Sequence, residues 1–350
     1  MTIKQRLVAL MRAKLSVLLV GTPATAKTAL IRAAAKAAGM KCIVFRVSLC
    51  ERVDFSGTIV PDVEAGVSRL LPLKLLKDLM ESTEPTLFFL DELGQGSTEV
   101  QGSVQFLWDS GMLPPSVLIW AATNRVTDRA GVSALCEPLR SRFDQAYNMP
   151  TPESSDDSGA GGTLLGSWPE LHATWLEFAQ AADYPLEITT YHMVTAKVSP
   201  SPLYQWKPNS DSSLRMPDFR TWATAATLWR EGFRDSRTFA ATLGKPEAAK
   251  FLAFCALRDG LPKPDEVWAD PLTAVVPKDA AAQYFIAAVL AASVLPKQAG
   301  QFIAYFSRLE TMQGAFAANA ALIRLGSKLT SNLQWQVYYE KNQHLFATNV

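Results

Sequence analysis

Cysteine and histidine are scarce in this chain and scattered where they occur. Cys42, Cys50, Cys136 and Cys255 show no C-x-x-C spacing, and His172, His192 and His344 stand far apart. This argues against a zinc centre and suits reduced thiols in a cytosol. Net charge is also lacking: 34 basic against 33 acidic side chains leave +1, so no global field draws the chain to nucleic acid or to an anionic membrane. Long apolar runs are missing too. The longest, Ala280 to Leu295, is alanine-rich, includes Gln283 and Ser293, and is shorter than the roughly 20 residues a bilayer needs, which predicts a buried helix of a soluble protein and no membrane insertion. The basic segment Met1 to Lys14 reads as a short amphipathic helix, and the next apolar run is too short for a secretory signal. A cytoplasmic location is the expectation.

What is present begins with a strand that turns through a lysine-bearing loop into a helix. The run Leu15-Ser16-Val17-Leu18-Leu19-Val20 leads into Gly21-Thr22-Pro23-Ala24-Thr25-Ala26-Lys27-Thr28 and then the helix-like Ala29-Leu30-Ile31-Arg32. The pattern G-x-x-x-x-A-K-T in that setting is a phosphate cradle, predicting a nucleoside triphosphate as ligand. Backbone N–H groups face phosphate oxygens, Lys27 neutralises the β/γ charge, and the Thr28 hydroxyl ligates Mg²⁺. Ala26 stands where the pattern asks for glycine, and Ala24 where related loops often have one. A Cβ at a positive φ costs about 1 kcal/mol.

The chain is long enough for two or three compact units. Its first 150 residues alternate short apolar strands, at Leu15 to Val20, Cys42 to Val47, Thr86 to Leu90, Val117 to Ala122 and Gln145 to Asn148, with helical patterns at Ala29 to Ala38, Leu73 to Glu81, Thr98 to Ser110 and Val132 to Ser141. Such a series predicts an α/β fold on a parallel five-stranded sheet. Gly57 to Leu70 carries two β-like runs about a turn-rich centre, a candidate hairpin. A Ser/Gly/Asp/Pro segment from Pro150 to Gly162 then marks a domain edge. Beyond it the pattern is helical, with helices expected at Trp168 to Ala182, Asp218 to Phe233, Pro246 to Leu257, Ala280 to Leu295, Gln298 to Met312 and Leu322 to Tyr339, and an irregular loop from Ser199 to Met216. The expected division is an α/β nucleotide-binding domain over 1–150, a flexible linker over 151–167, a helical lid over 168–260 and a helical extension over 261–350.

Three further features follow the phosphate loop in order. Thr86 to Leu90 ends in Asp91-Glu92; Asp91 suits the Mg²⁺ shell and Glu92 suits orientation and deprotonation of an attacking water. The strand Val117 to Thr123 ends in Asn124, whose amide either positions that water or senses the γ-phosphate, or else serves as a turn residue. Leu139-Arg140-Ser141-Arg142-Phe143 carries arginines that either complement a helix dipole or reach a neighbouring subunit's γ-phosphate, Arg142 preferred and Arg140 the substitute. Arg215 and Arg220 flank Met216-Pro217-Asp218-Phe219, where an arginine at the start of a lid helix would meet the nucleotide. The tryptophans of the helical half read as core.

Together these residues resemble the AAA+ superfamily of ring ATPases, and within it the MoxR-like branch. Gly21 to Thr28 resembles Walker A, Leu87 to Glu92 Walker B, Asn124 sensor 1, Arg142 the arginine finger, and Phe219-Arg220-Thr221-Trp222 the start of the sensor-2 helix. Asp54-Phe55-Ser56-Gly57 with the candidate hairpin looks like the MoxR D-x-x-G segment and its helix-2 insertion. The A-K-T ending is similar to A-K-S in MCM helicases and RavA-type MoxR proteins. Phe219 replaces the small residue or proline expected before the sensor arginine, which keeps Arg215 in play as a nucleotide-binding residue. The resemblance implies an ATP- and Mg²⁺-dependent homo-oligomer, a six-membered ring, acting on a protein client such as a von Willebrand factor A domain protein. The alternatives are a nucleotide-gated assembly protein with little hydrolysis, suggested by Ala24 and Ala26, and an MCM-like nucleic-acid motor, disfavoured because Thr58 to Leu70 offers only Arg69 against Asp62 and Glu64.

Overall fold

The computed structural model describes residues 1–128, 131–154, 162–196, 199–207 and 215–343. The centre of the expected linker and residues 208–214 of the expected irregular loop lie outside them. The chain forms two compact units, one of Met1–Glu177 with Leu203–Thr221, the other of Phe178–Pro202 with the residues from Trp222 onward.

In the first unit, α1 (Ile3–Arg12) buries Ile3, Leu7 and Met11 along one stripe, and Thr2 and Gln5 close a capping box at its start. There follow β1 (Val17–Val20), α2 (Lys27–Ala38), β2 (Lys41–Arg46), the single turn α3 (Val53–Ser56), β3 (Thr58–Asp62), β4 (Val67–Leu71), α4 (Lys74–Met80), β5 (Thr86–Asp91), α5 (Thr98–Asp109), β6 (Val117–Thr123), α6 (Glu137–Arg140) and β7 (Gln145–Asn148). Five strands make one parallel sheet in the order β2-β5-β6-β1-β7. The inner strands are apolar throughout because helices cover both faces; Leu87, Phe88, Phe89, Leu90, Trp120, Ala121 and Ala122 are fully buried. Register matters for the site. Val20 lies opposite Thr123, and Leu90 opposite Ala121, so β1, β5 and β6 end side by side, where open α/β sheets hold their ligands.

The helix expected over Val132 to Ser141 shrinks to α6. Pro138 suits only the first turn of a helix, and the residues before it spend their donors elsewhere: Ser133 N–H donates to the Gly94 carbonyl at 2.8 Å and Cys136 N–H to Gln101 Oε1 at 2.9 Å. β3 and β4 form the antiparallel hairpin. Every residue from Thr58 to Leu71 is exposed except half-buried Asp62, with Val63 at its turn 87% and Ile59 68% accessible.

The remaining helices are α7 (Trp168–Ala181), α8 (Leu186–Val194), α9 (Phe219–Arg230), α10 (Ser236–Leu243), α11 (Lys245–Ala256), α12 (Pro264–Ala269), α13 (Ala280–Ser293), α14 (Ala299–Phe306), α15 (Thr311–Leu325), α16 (Ser327–Thr330) and α17 (Leu333–Lys341). In the second unit α13, α14, α15 and α17 enclose a core of Ile286, Leu290, Phe302, Tyr305, Phe306 and Trp335, with Ala287, Ala291, Ala317 and Ala321 allowing close helix approach. Two expected helices are corrected. Gln298 to Met312 stops at Phe306, and the Glu310 N–H donates to Gln283 Oε1 at 2.9 Å instead of continuing the ladder. Leu322 to Tyr339 is broken at Gly326, where φ is +50°. Asn332 then caps a fresh start at α17, its Oδ1 accepting from the Gln334 N–H at 3.0 Å and the Trp335 N–H at 3.2 Å. α8 escaped the sequence reading because it is buried all round, from Glu187 to His192, leaving no amphipathic period to read. No described helix is long and apolar enough to cross a membrane.

Candidate functional site

The loop between β1 and α2 wraps around its own lysine. Gly21 donates its N–H to the Thr123 carbonyl at 3.1 Å. It must be glycine, since a Cβ there would lie 2.6 Å from Met149 Cβ. Ala24 and Ala26 have φ of 58° and 60°, the left-handed region where a Cβ is strained. Ala26 is also the N-cap of α2 and offers no side chain to the first N–H groups of that helix, which leaves them to an anion. Thr25 Oγ1 donates to the Thr22 carbonyl at 2.8 Å and fixes the turn. Pro23 completes it.

Lys27 is 9% exposed, and its Nζ donates to the Gly21 carbonyl at 2.8 Å, the Thr22 carbonyl at 2.9 Å and Asn124 Oδ1 at 2.9 Å. Burial lowers its pKa from 10.5 to about 8, against the opposing pull of Asp91, Asp128 and Glu92. One residue on, Thr28 Oγ1 donates to Asp91 Oδ2 at 2.7 Å. Glu92 follows in a left-handed conformation, φ 59°, and its carboxylate accepts from Ser48 Oγ. The ends of β1, β5 and β6 thus bring Lys27, Thr28, Asp91, Glu92 and Asn124 into one cluster.

Two of the arginines are engaged with other acids. Arg142 makes a forked pair with Asp109, Nε to Oδ1 at 2.9 Å and Nη2 to Oδ2 at 2.7 Å, and also donates to the Pro138 carbonyl; the pairing raises the arginine's pKa and lowers that of Asp109. Arg140 lies 3.7 Å from Glu137. Arg215 and Arg220 are exposed, and the Arg220 N–H donates to Asp218 Oδ1 at 2.8 Å.

Sequence reasoning passed over four residues here. Ser48 follows β2, whose Arg46 lies opposite Asp91, so only strand order makes it a neighbour of Glu92. Arg125 and Asp128 sit just beyond Asn124 and pair at 2.9 Å, with the Asp128 side chain fully buried; their spacing of three was the available signal. Tyr204 places its hydroxyl 2.9 Å from the Pro23 carbonyl, to which it donates, and is hydrogen-bonded to Thr22 Oγ1 at 2.6 Å. Nothing in the sequence pointed to it.

The Thr28 hydroxyl and Asp91 carboxylate are hard oxygen donors, and among the described residues no group of three or more His, Cys, Asp or Glu could cage a metal. So sparse a set fits Mg²⁺, which keeps waters and takes its other ligands from substrate phosphates.

Residues 17–151 match the profile of the ATPase family associated with various cellular activities, AAA. This segment has the AAA+ fold. Solved structures similar to the chain include a candidate ATPase of Cytophaga hutchinsonii, 17% identical over 53% of this chain and 66% of that one, TM-score 0.31. Another is the RuvB Holliday junction branch migration motor of Thermotoga maritima, 16% identical over 77% of this chain and 75% of that one, TM-score 0.40. The chain spans just under two-thirds of the first of these. No curated protein matches it significantly. The matched segment covers the whole Lys27 cluster, and the helical part of the chain follows it.

Proposed function

We propose that the chain is a Mg²⁺-dependent ATPase of the MoxR-like branch that works as a six-membered ring in the cytoplasm and remodels or matures a protein partner. The observation that carries the reading is the convergence of Lys27 on Asn124 and of Thr28 on Asp91 beside Glu92. Lys27 and the N–H groups at the start of α2 bind the phosphates of ATP, with Gly21 to Ala26 as the cradle. Thr28 and Asp91 would hold Mg²⁺, which when bound supplies neutralisation of phosphate charge. Glu92 orients and deprotonates the attacking water, Ser48 holds one of its carboxylate oxygens, and Asn124 positions the water or reads the γ-phosphate. Arg142, with Arg140 as substitute, serves a neighbour's site, and Arg215 or Arg220 meets the nucleotide from the start of α9. In this reading residues 1–150 are the nucleotide-binding domain, 151–167 the linker, 168–260 the lid and 261–350 an extension.

The β3–β4 hairpin supports a protein client over a nucleic acid. Its apolar side chains are exposed, which favours a protein contact, while Arg69 is tied to Asp62 at 2.6 Å and brings little net charge to a phosphate backbone. A von Willebrand factor A domain protein is the client class that the MoxR likeness suggests. The left-handed alanines, Ala24 and Ala26, favour a second reading, a ring that assembles on ATP and scarcely hydrolyses it. Phosphate release by the parent and by Glu92→Gln separates the two: loss of a general base should slow turnover by about 10²-fold or more while leaving nucleotide binding intact. A parent that binds ATP, forms rings and turns over no faster than Glu92→Gln sinks the first reading.

A further inference from the structure

We infer that Tyr204 is a positioning residue for the phosphate loop: its phenol ties the Thr22–Pro23 turn to the residues leading into Arg220, so that phosphate loading of the loop is read at the start of α9. This rests on the nucleotide-binding reading of the loop. Tyr204 is only 2% exposed, and burial pushes its pKa upward, which keeps the phenol a neutral hydrogen-bonding group at physiological pH. Its ring packs against Trp168 and Phe219, each with its ring centroid 6.1 Å away. The next residue, Gln205, donates its N–H to the Pro217 carbonyl at 2.9 Å. From there hydrogen bonds continue the path: Asp218 Oδ1 accepts from the N–H groups of Arg220 at 2.8 Å and Thr221 at 2.7 Å, and Thr221 Oγ1 accepts from the Asp218 N–H at 2.8 Å. A change at the turn is thereby delivered to the residues around Arg220 through one hydroxyl.

The chemistry of Lys27 makes that hydroxyl matter most in the loaded state. Lys27 now bonds the Gly21 and Thr22 carbonyls and Asn124 Oδ1; to meet phosphate oxygens its ammonium must give up at least one of the three, and each carbonyl it releases loosens the turn. The turn is then held by Thr25 Oγ1 and by Tyr204. Loss of one such buried hydrogen bond is expected to weaken binding by about fivefold.

The test uses the full chain with Mg²⁺ and a slowly hydrolysed ATP analogue, comparing the parent with Tyr204→Phe, Thr22→Val and the double variant. Binding is measured at equilibrium, and trypsin cleavage after the exposed Arg215 and Arg220 is timed with and without saturating analogue. Loading should slow cleavage in the parent. Tyr204→Phe should bind about fivefold more weakly and, once saturated, show no slowing, although its cleavage without analogue equals the parent's. A purely structural tyrosine would not produce that split. Thr22→Val, which leaves the Tyr204–Pro23 bond in place, should shift both readouts in the same direction and by less, the double variant should be no worse than Tyr204→Phe, and Thr22→Val carries that smaller expectation by itself if Tyr204→Phe does not fold. Parent-like affinity and protection in a folded variant, or additive effects, overturn the inference and leave the ATPase site standing. A parent that fails to bind the analogue overturns both.

Discussion

Ala26 sits at φ 60° as the N-cap of α2. Replacing it by glycine removes a Cβ from the left-handed region, so Ala26→Gly should raise the unfolding free energy by about 1 kcal/mol; the urea midpoint should rise with an unchanged slope. Lys27 gives a pH signature. Its pKa of about 8 means that polyphosphate binding finds the amine already charged below that pH and requires proton uptake above it. Affinity for ATP should therefore be flat below about pH 8 and fall above it, approaching tenfold per pH unit, or about 1.4 kcal/mol. Calorimetry in buffers of differing ionisation heat should detect the proton. The same depressed pKa is a stability term with a definite sign: the buried charge destabilises the fold below about pH 8, and this cost is relieved as pH rises toward 10.5, where the unfolded chain also loses its proton.

At the scale of elements, strands were far more legible than the short helices. β5 and β6 declare themselves as uninterrupted apolar runs because both faces are covered, and each runs into a polar residue, Asp91 at the end of β5 and Asn124 just after β6. α6 did not declare its true length, because the N–H groups of Ser133 and Cys136 are captured by Gly94 and Gln101 from distant parts of the chain. The β3–β4 hairpin was legible from its turn residues, but its full exposure was not, since β-branched residues usually mark a buried face. That exposure predicts indifference of the fold: Val63→Asp and Ile59→Asp should each leave stability within about 0.5 kcal/mol of the parent, measured by thermal denaturation. A loss of several times that would mean the hairpin is packed.

For the whole molecule, the pairing of Arg142 with Asp109 bears on the proposed ring. In the proposed ring its guanidinium, held by Asp109 within its own chain, would serve a neighbour's phosphates. If neighbours share sites, Glu92→Gln and Arg142→Ala should each abolish turnover alone, and mixing the two proteins should restore part of it, because an Arg142→Ala subunit keeps Glu92 and a Glu92→Gln neighbour supplies the arginine. No recovery on mixing, with mixed assemblies demonstrated, would place the finger elsewhere.

Local order in the chain determined the strand–loop–helix cradle, the paired acids and the asparagine, because each lies at the end of its own apolar strand and needs no distant residue to be recognised. Only the tertiary structure decided which of these meet. Parallel pairing of β1 with β6 sets Asn124 against Lys27, and placement of β2 beside β5 sets Ser48 against Glu92. Tyr204 reaches the loop from far down the chain. Such contacts depend on strand order and on packing between segments remote in sequence, and neither leaves a spacing that a linear reading can detect.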